Sequence, residues 1–245
     1  MTVVAVGSSE QFNVLVTDAI IPITDLPSSR DDLRLGDKIR YWPNLSLYTA
    51  LVGDELLYEA LSAVSEWSAL KERPISLDDA RDVDMVLLAA AKARQAIVQQ
   101  HPNMPSPQPT TLYMCGRGRA AYWKLEFDQA SRQLRRQSSA PACVREGVVL
   151  FDYAGTSQIE RLDAEGASAA SRLWCRIMAL HEARVSSGAA LPYDLGERYS
   201  SVVVPTRADQ KPVITTPFRC LSDMWAGSQR LWHLLESPDY QWSPF

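Results

Sequence analysis

Residues 2–18 read TVVAVGSSEQFNVLVTD. Two runs rich in β-branched and apolar residues, 2–7 and 13–18, flank the turn material Gly7 to Phe12. β-Branched side chains pack well on a pleated surface, and the Gly-Ser-Ser turn lies between them, so the stretch predicts a β-hairpin. The next segment, 19–36, has two prolines and a Ser-Ser pair and reads as irregular. Residues 37–42 (DKIRYW) alternate polar and apolar, as a half-buried strand does. Residues 45–52 (LSLYTALV) form another strand that stops at Gly53.

The period then changes. Leu56, Leu57, Ala60, Leu61, Val64 and Trp67 recur at helical spacing, and Asp54 can cap that helix over 54–70. Ser76, with Asp79 three residues on, starts a second helix that runs to about residue 100. Four prolines in 102–109 make a rigid connector. Strands return at Thr110–Cys115 and Ala121–Phe127, and again over Val144–Tyr153, with 128–141 read as loop. A helix is predicted over 164–186, ended by Ser187-Gly188, and a last strand over Tyr199–Pro205. Blocks of strands alternating with blocks of helices imply an α+β fold of antiparallel sheets with helices packed outside. Residues 1–206 read as one domain, and 207–245 as a tail with helical character around 221–235.

Composition narrows the function classes. The net charge is -4 and the pI about 5.5, which offers no basic face for a nucleic-acid backbone. The start has no basic region or apolar stretch of signal-peptide type, and no segment reaches the roughly 20 apolar residues of a membrane span. A soluble cytoplasmic protein is expected. Cys115, Cys143, Cys175 and Cys220 are far apart and predict buried free thiols. His101, His181 and His233 lack ligand-spaced partners, so no metal and no cofactor is expected. Met1-Thr2 is chemically suggestive. Removal of Met1 leaves a threonine whose α-amine, with an ordinary pKa near ~8, lies beside its own hydroxyl and can take its proton.

The ordered series TVVAV, VLVTDAIIP, DKIRYWPNLSLYTALVGDELLYEAL, LYMCGRGRAAYWKLEFD, VVLFDYAGTS, ARVSSG and YSSVVV resembles the proteasome β-subunit family of N-terminal-nucleophile hydrolases, with its HslV-type and smaller bacterial proteasome-like members. The likeness spans roughly residues 2–205. It implies a four-layer αββα sandwich of two antiparallel sheets flanked by helices. It also implies site roles: Thr2 as nucleophile, Asp18 at the floor of the site, Lys38 beside the nucleophile, and the Gly53 N–H as oxyanion donor. Ser157, or Thr156, falls at the loop serine near the α-amine, and Ser187-Gly188 at the end of a D-x-x-S-G motif. The aspartate of that motif falls on Arg184, and the nearest acid, Glu182, lies on a different side of a helix.

Three functions are compatible with these residues. One is a threonine peptidase acting on unfolded or short peptides within a proteasome-like assembly. The second is an inactive proteasome-like scaffold or binding protein, favoured by Arg184. The third is a small-molecule amidase on the same fold. Self-association is expected as a ring or a helical array, because Met85 to Ala91 are all apolar and the tail carries Trp225, Trp232 and Trp242. The sequence does not say whether an unfoldase partner exists.

Overall fold

The hairpin at the start of the chain sits at the centre of the molecule. In the computed structural model, β1 (Val4–Ser8) and β2 (Phe12–Asp18) pair antiparallel, with Val4 opposite Thr17 and Ser8 opposite Asn13. Nearly every residue of both strands is buried. A strand apolar on both faces needs cover on both. The structure describes residues 3–22, 33–35, 38–42, 47–53, 81, 92, 110–128, 133–138, 140–153, 156–163, 165–166, 168–188, 195 and 198–215. The predicted helices over 54–100 therefore lie outside the described residues except at Arg81 and Lys92, both helical and exposed. The proline connector and the tail beyond 215 also lie outside them.

β1 pairs on its other side with β11 (Val148–Tyr153), and β2 with β13 (Tyr199–Pro205). β12 (Thr156–Arg161) and β14 (Val213–Thr215) close the two edges, giving the order β12-β11-β1-β2-β13-β14, antiparallel throughout. A second antiparallel sheet runs β10 (Ala142–Cys143), β8 (Arg119–Asp128), β7 (Thr110–Gly116), β6 (Leu47–Val52), β5 (Arg40–Trp42). β9 (Gln133–Arg136) pairs with the far end of β8. β3 (Ile20–Pro22) and β4 (Leu33–Leu35) form a separate two-stranded ribbon.

The period-2 alternation of β1 divides the core. Val4 and Val6, with Leu15, Leu150 and Val202, meet Tyr48, Tyr113 and Cys115 of the second sheet. Val3 and Ala5, with Val14, Val16 and Phe151, meet Leu173, Trp174 and Ile177 of the helix α1 (Ser168–Ser186). The outer face of the second sheet is equally buried, through Leu51, Leu112, Met114, Trp123 and Leu125. Among the described residues α1 packs on β2 and β13, on the other side of the molecule.

Several expectations need correcting. The segments 19–36 and 128–141 contain strands, β3 and β4 in the first and β9 in the second. Each gains its pairing from a neighbour rather than from its own apolar pattern. α1 starts at Ser168, not 164, because Gly166 has φ 52, a left-handed conformation that ends any earlier turn. Cys115 is buried, but Cys143 and Cys175 are exposed, all three free. No helix among the described residues is long and apolar enough to cross a membrane.

Candidate active site at the head of the first strand

β1 and β2 bring the start of one strand against the end of the other. The Val3 N–H donates to Asp18 Oδ1 at 2.7 Å, and the Asp18 N–H donates to the Val3 carbonyl at 3.2 Å. The other carboxylate oxygen, Asp18 Oδ2, takes a hydrogen bond from Lys38 Nζ at 2.8 Å. Side-chain exposure is 0% for Asp18 and 4% for Lys38. Lys38 lies two residues before β5, so the pair links the second sheet to the first. Charges so buried persist only when paired and hydrogen-bonded, and here the two are bonded to each other. The effect is to fix a cation beside the backbone that leads into β1. Thr2 itself lies outside the described residues.

Two further polar pairs surround this point. Val4 is opposite Asp152 on β11, so Tyr153, the last residue of β11, lies beside Val3. The Tyr153 hydroxyl is 2.6 Å from His181 Nδ1 on α1, and both side chains are buried. The Arg184 guanidinium, one turn later on α1, lies 5.0 Å from the centre of the Tyr153 ring, in cation–π range. Burial pushes the Tyr153 phenol up from its usual value, Arg184 opposes that rise, and the Asp18 charge adds to it. Arg184, at the position where the family resemblance expects an acid, is thus held by an aromatic ring next to the strand head.

The second pair faces the space between the sheets. The Tyr113 hydroxyl donates to Asp152 Oδ2 at 2.5 Å, while Asp152 Oδ1 is buried without a hydrogen-bond partner. Burial raises the Asp152 carboxyl above its ordinary pKa; the Tyr113 hydrogen bond and the Lys124 charge partly offset this. Burial, then the Asp152 charge, holds the Tyr113 phenol far above its usual value, so it remains a proton donor.

The remaining predicted site residues stand on separate elements. Gly53 follows β6 in the second sheet with φ 126, a conformation that favours glycine over any residue with a Cβ. Ser157 is on the edge strand β12, exposed, and directly opposite Asp152. Ser187 follows α1, exposed, and its hydroxyl donates back to the Arg184 carbonyl at 2.8 Å. Glu182 is exposed on α1. Among the described residues no group of three or more His, Cys, Asp or Glu is placed to hold a metal ion. Sequence reasoning passed over Tyr153, His181, Asp152 and Tyr113. One signal was present for Asp152: a carboxylate inside the apolar run VVLFDY is rarely buried without a partner.

Two stacked antiparallel sheets, with the first strand of the chain central and a helix on its outer side, make an architecture that is also found among solved structures. A solved structure with this architecture is a Gly-1 mutant of Anbu from Hyphomicrobium sp. strain MC1, which superposes with a TM-score of 0.51 at 11% identity, over 96% of this chain and 92% of that one. Anbu (ancestral beta-subunit) from Yersinia bercovieri gives 0.48 at 10% identity, over 88% and 87%. The helical assembly of the Anbu complex from Pseudomonas aeruginosa gives 0.47 at 9% identity, over 94% and 92%. No protein-family model matches the sequence, and no curated protein does.

Proposed function

We propose that this chain is a threonine-type N-terminal-nucleophile peptidase of a self-compartmentalising, proteasome-like assembly. The observation that carries the reading is the buried Lys38–Asp18 pair hydrogen-bonded to the Val3 N–H, one residue after Thr2. In this reading Met1 is removed, and the Thr2 α-amine takes the proton of the Thr2 hydroxyl. The oxygen attacks an amide carbon, with the Lys38 ammonium favouring the developing negative charge. The Gly53 N–H serves as a donor to the oxyanion. The proton passes to the leaving amine, and water releases the acyl group from Thr2. Ser157 and Ser187 are assigned supporting roles near the amine.

The fold reading extends to four layers. The buried outer face of the second sheet requires a cover, and we assign it to the helices predicted over 54–100. The domain then spans 1–206, and the tail 207–245 packs on it or on a neighbouring subunit. The setting is the cytoplasm, the assembly a homo-oligomer, and the substrates unfolded or short peptides.

One observation favours a second reading, an inactive scaffold of the same fold. Arg184 rests on Tyr153 where the resemblance expects a carboxylate, and it adds a cation where the first reading needs an ammonium to form. The two readings separate cleanly. Intact mass and N-terminal sequencing establish whether Thr2 is free. An electrophile selective for N-terminal threonine should then add one covalent mass at Thr2, and Thr2→Ala should abolish both labelling and peptide hydrolysis. Hydrolysis that survives Thr2→Ala in full overturns the peptidase mechanism; a free Thr2 that never labels establishes the scaffold.

A further inference from the structure

We propose that Tyr113 and Asp152 are positioning residues: their bond holds the sheet that carries Gly53 against the sheet centred on β1, and Asp152 makes that hold depend on pH. The role rests on the reading of the Gly53 N–H as donor to the oxyanion.

Strand register places the pair. Asp152 on β11 is opposite Val4 of β1, and Val4 faces the second sheet. Side chains opposite one another share a face, so Asp152 faces that sheet too. Tyr113 of β7 meets it there, with its hydroxyl 2.5 Å from Asp152 Oδ2. The two residues are 1% and 6% exposed. Within the second sheet Tyr113 is opposite Ala50 of β6, and Val52, the last residue of β6, is opposite Thr111. Gly53 follows directly, so Tyr113 sits on the strand that pairs with the approach to Gly53. On the other flank of β1, the Lys38–Asp18 bond ties the chain just before β5 to the end of β2. β1 thus begins between two buried bonds that cross from one sheet to the other, one on each neighbouring strand. Anchors on both flanks resist rocking as well as separation of the sheets, and they fix the gap between a backbone donor on one sheet and the head of β1 on the other. A misplacement of about 1 Å in such a donor can cost on the order of a hundredfold in rate.

Asp152 sets the sign of the pH dependence. Burial raises its carboxyl above the ordinary value, against the Tyr113 hydrogen bond and the Lys124 charge. Separation of the sheets admits water to the carboxyl and returns it toward that ordinary value. The closed form then binds more protons than the open form between the two values. Opening is suppressed below this window and grows as pH rises through the closed-form pKa, by at most about tenfold per pH unit for one group. The titratable groups that face Asp152 among the described residues are Tyr113, Tyr122 beside it, and Lys124 on β8. β1 and β12 present Val4 and Ser157 opposite it. At the other end of the sandwich the ties run to backbone carbonyls, which do not titrate.

Hydrogen exchange of the full chain, read by mass spectrometry on residues 47–53 and corrected for the intrinsic rate at each pH, tests the hold. Opening of this segment should grow with pH in the native sequence, and the segment at 116–119 should not follow it. Asp152→Asn, a neutral isostere, should remove the pH dependence. Tyr113→Phe removes the group that pulls the Asp152 value down, so the rise should continue to higher pH; this variant also serves if Asp152→Asn fails to fold. Asp163→Asn, at an exposed carboxylate, should behave as the native sequence. The rate at which Thr2 reacts with the electrophile should shift with pH in step with the exchange. Exchange at 47–53 that is unmoved by the folded variants overturns the proposal whatever Thr2 does. Exchange that responds while the Thr2 rate ignores it makes the bond a structural one and overturns the positioning role. Exchange that responds in a chain whose Thr2 never reacts retains the pH-dependent hold and overturns the nucleophile reading alone.

Discussion

The two ends of the sheet sandwich use polar groups in opposite ways. At the end where β1 begins, charge is buried. Asp18 and Lys38 are paired there, and the Asp152 carboxyl is buried against Tyr113. At the other end, three turns are tied together by bonds to backbone carbonyls. The Arg117 guanidinium, from the β7–β8 turn, donates to the carbonyls of Pro205, Arg207 and Gln210. Asn13 Nδ2 donates to the Gly116 carbonyl at 2.7 Å, and Thr206 bonds through its N–H and hydroxyl to Gln11 and Glu10. Those bonds use neutral acceptors, and those of Arg117 to Arg207 and Gln210 and of Thr206 to Glu10 are exposed, so the turn end is a fastening. The head end places costly buried charge where a fastening would not need it. Proteins retain such cost mainly where it serves a site.

This contrast is broken most sharply by Asp18→Ala. The change removes the carboxylate bonded to the buried Lys38 ammonium and the acceptor of the Val3 N–H. Loss of one partner of a buried pair costs about 3–5 kcal/mol, which denaturant unfolding would read directly. Replacing both together, as Asp18→Leu with Lys38→Met, should restore most of that stability while removing any Thr2 labelling. If the double variant is stable and still labels at Thr2, the pair is structural and the head end is a fastening like the other.

At the turn end the expected effects are smaller. Asn13→Ala removes the donor to Gly116 but keeps the strand pairing, and should cost about 1–2 kcal/mol. Arg117→Ala loses partly exposed hydrogen bonds and should cost about 1 kcal/mol, with no change in the reactivity of Thr2. A loss of Thr2 labelling in a folded Arg117→Ala protein would show that the two ends are coupled.

How much of this could be read from the sequence follows the same division. The hairpin at 2–18 and the strand Tyr199–Pro205 were legible, because an apolar run between turn residues has few other readings. β12 and β14 were not. Their residues TSQIER and VIT carry exposed Ile159, Val213 and Ile214, and they are strands only because β11 and β13 offer free edges. The family likeness gave Asp18 and Lys38 separate roles, at the floor of the site and beside the nucleophile; that they bond to each other at 2.8 Å was not anticipated. Tyr113–Asp152 and Tyr153–His181 join residues 39 and 28 positions apart with no motif spacing. Only the register of β11 against β1, and the packing of α1 on the sheet, creates them.

The smallest expected effect is also the one that reads the head end without a mutation in the Asp18–Lys38 pair. Burial raises the folded-state pKa of Asp152 above its unfolded value, while the Tyr113 hydrogen bond and the Lys124 charge pull it back, so the net shift is what remains of opposed causes. With the folded pKa the higher, the native state binds more protons than the unfolded state between the two values. Stability contributed by the protonated carboxyl is fully present below the unfolded pKa. It is lost as pH rises through the folded one, so the slope of unfolding free energy against pH is negative in that window. Asp152→Asn should flatten this part of the profile and leave the rest unchanged. Arg117→Ala should lower the whole curve without changing its shape. Unfolding midpoints in urea, measured at closely spaced pH values from mildly acidic to neutral, would show it. A profile unchanged in Asp152→Asn would mean that the Tyr113 hydrogen bond and the Lys124 charge cancel the effect of burial at this carboxyl.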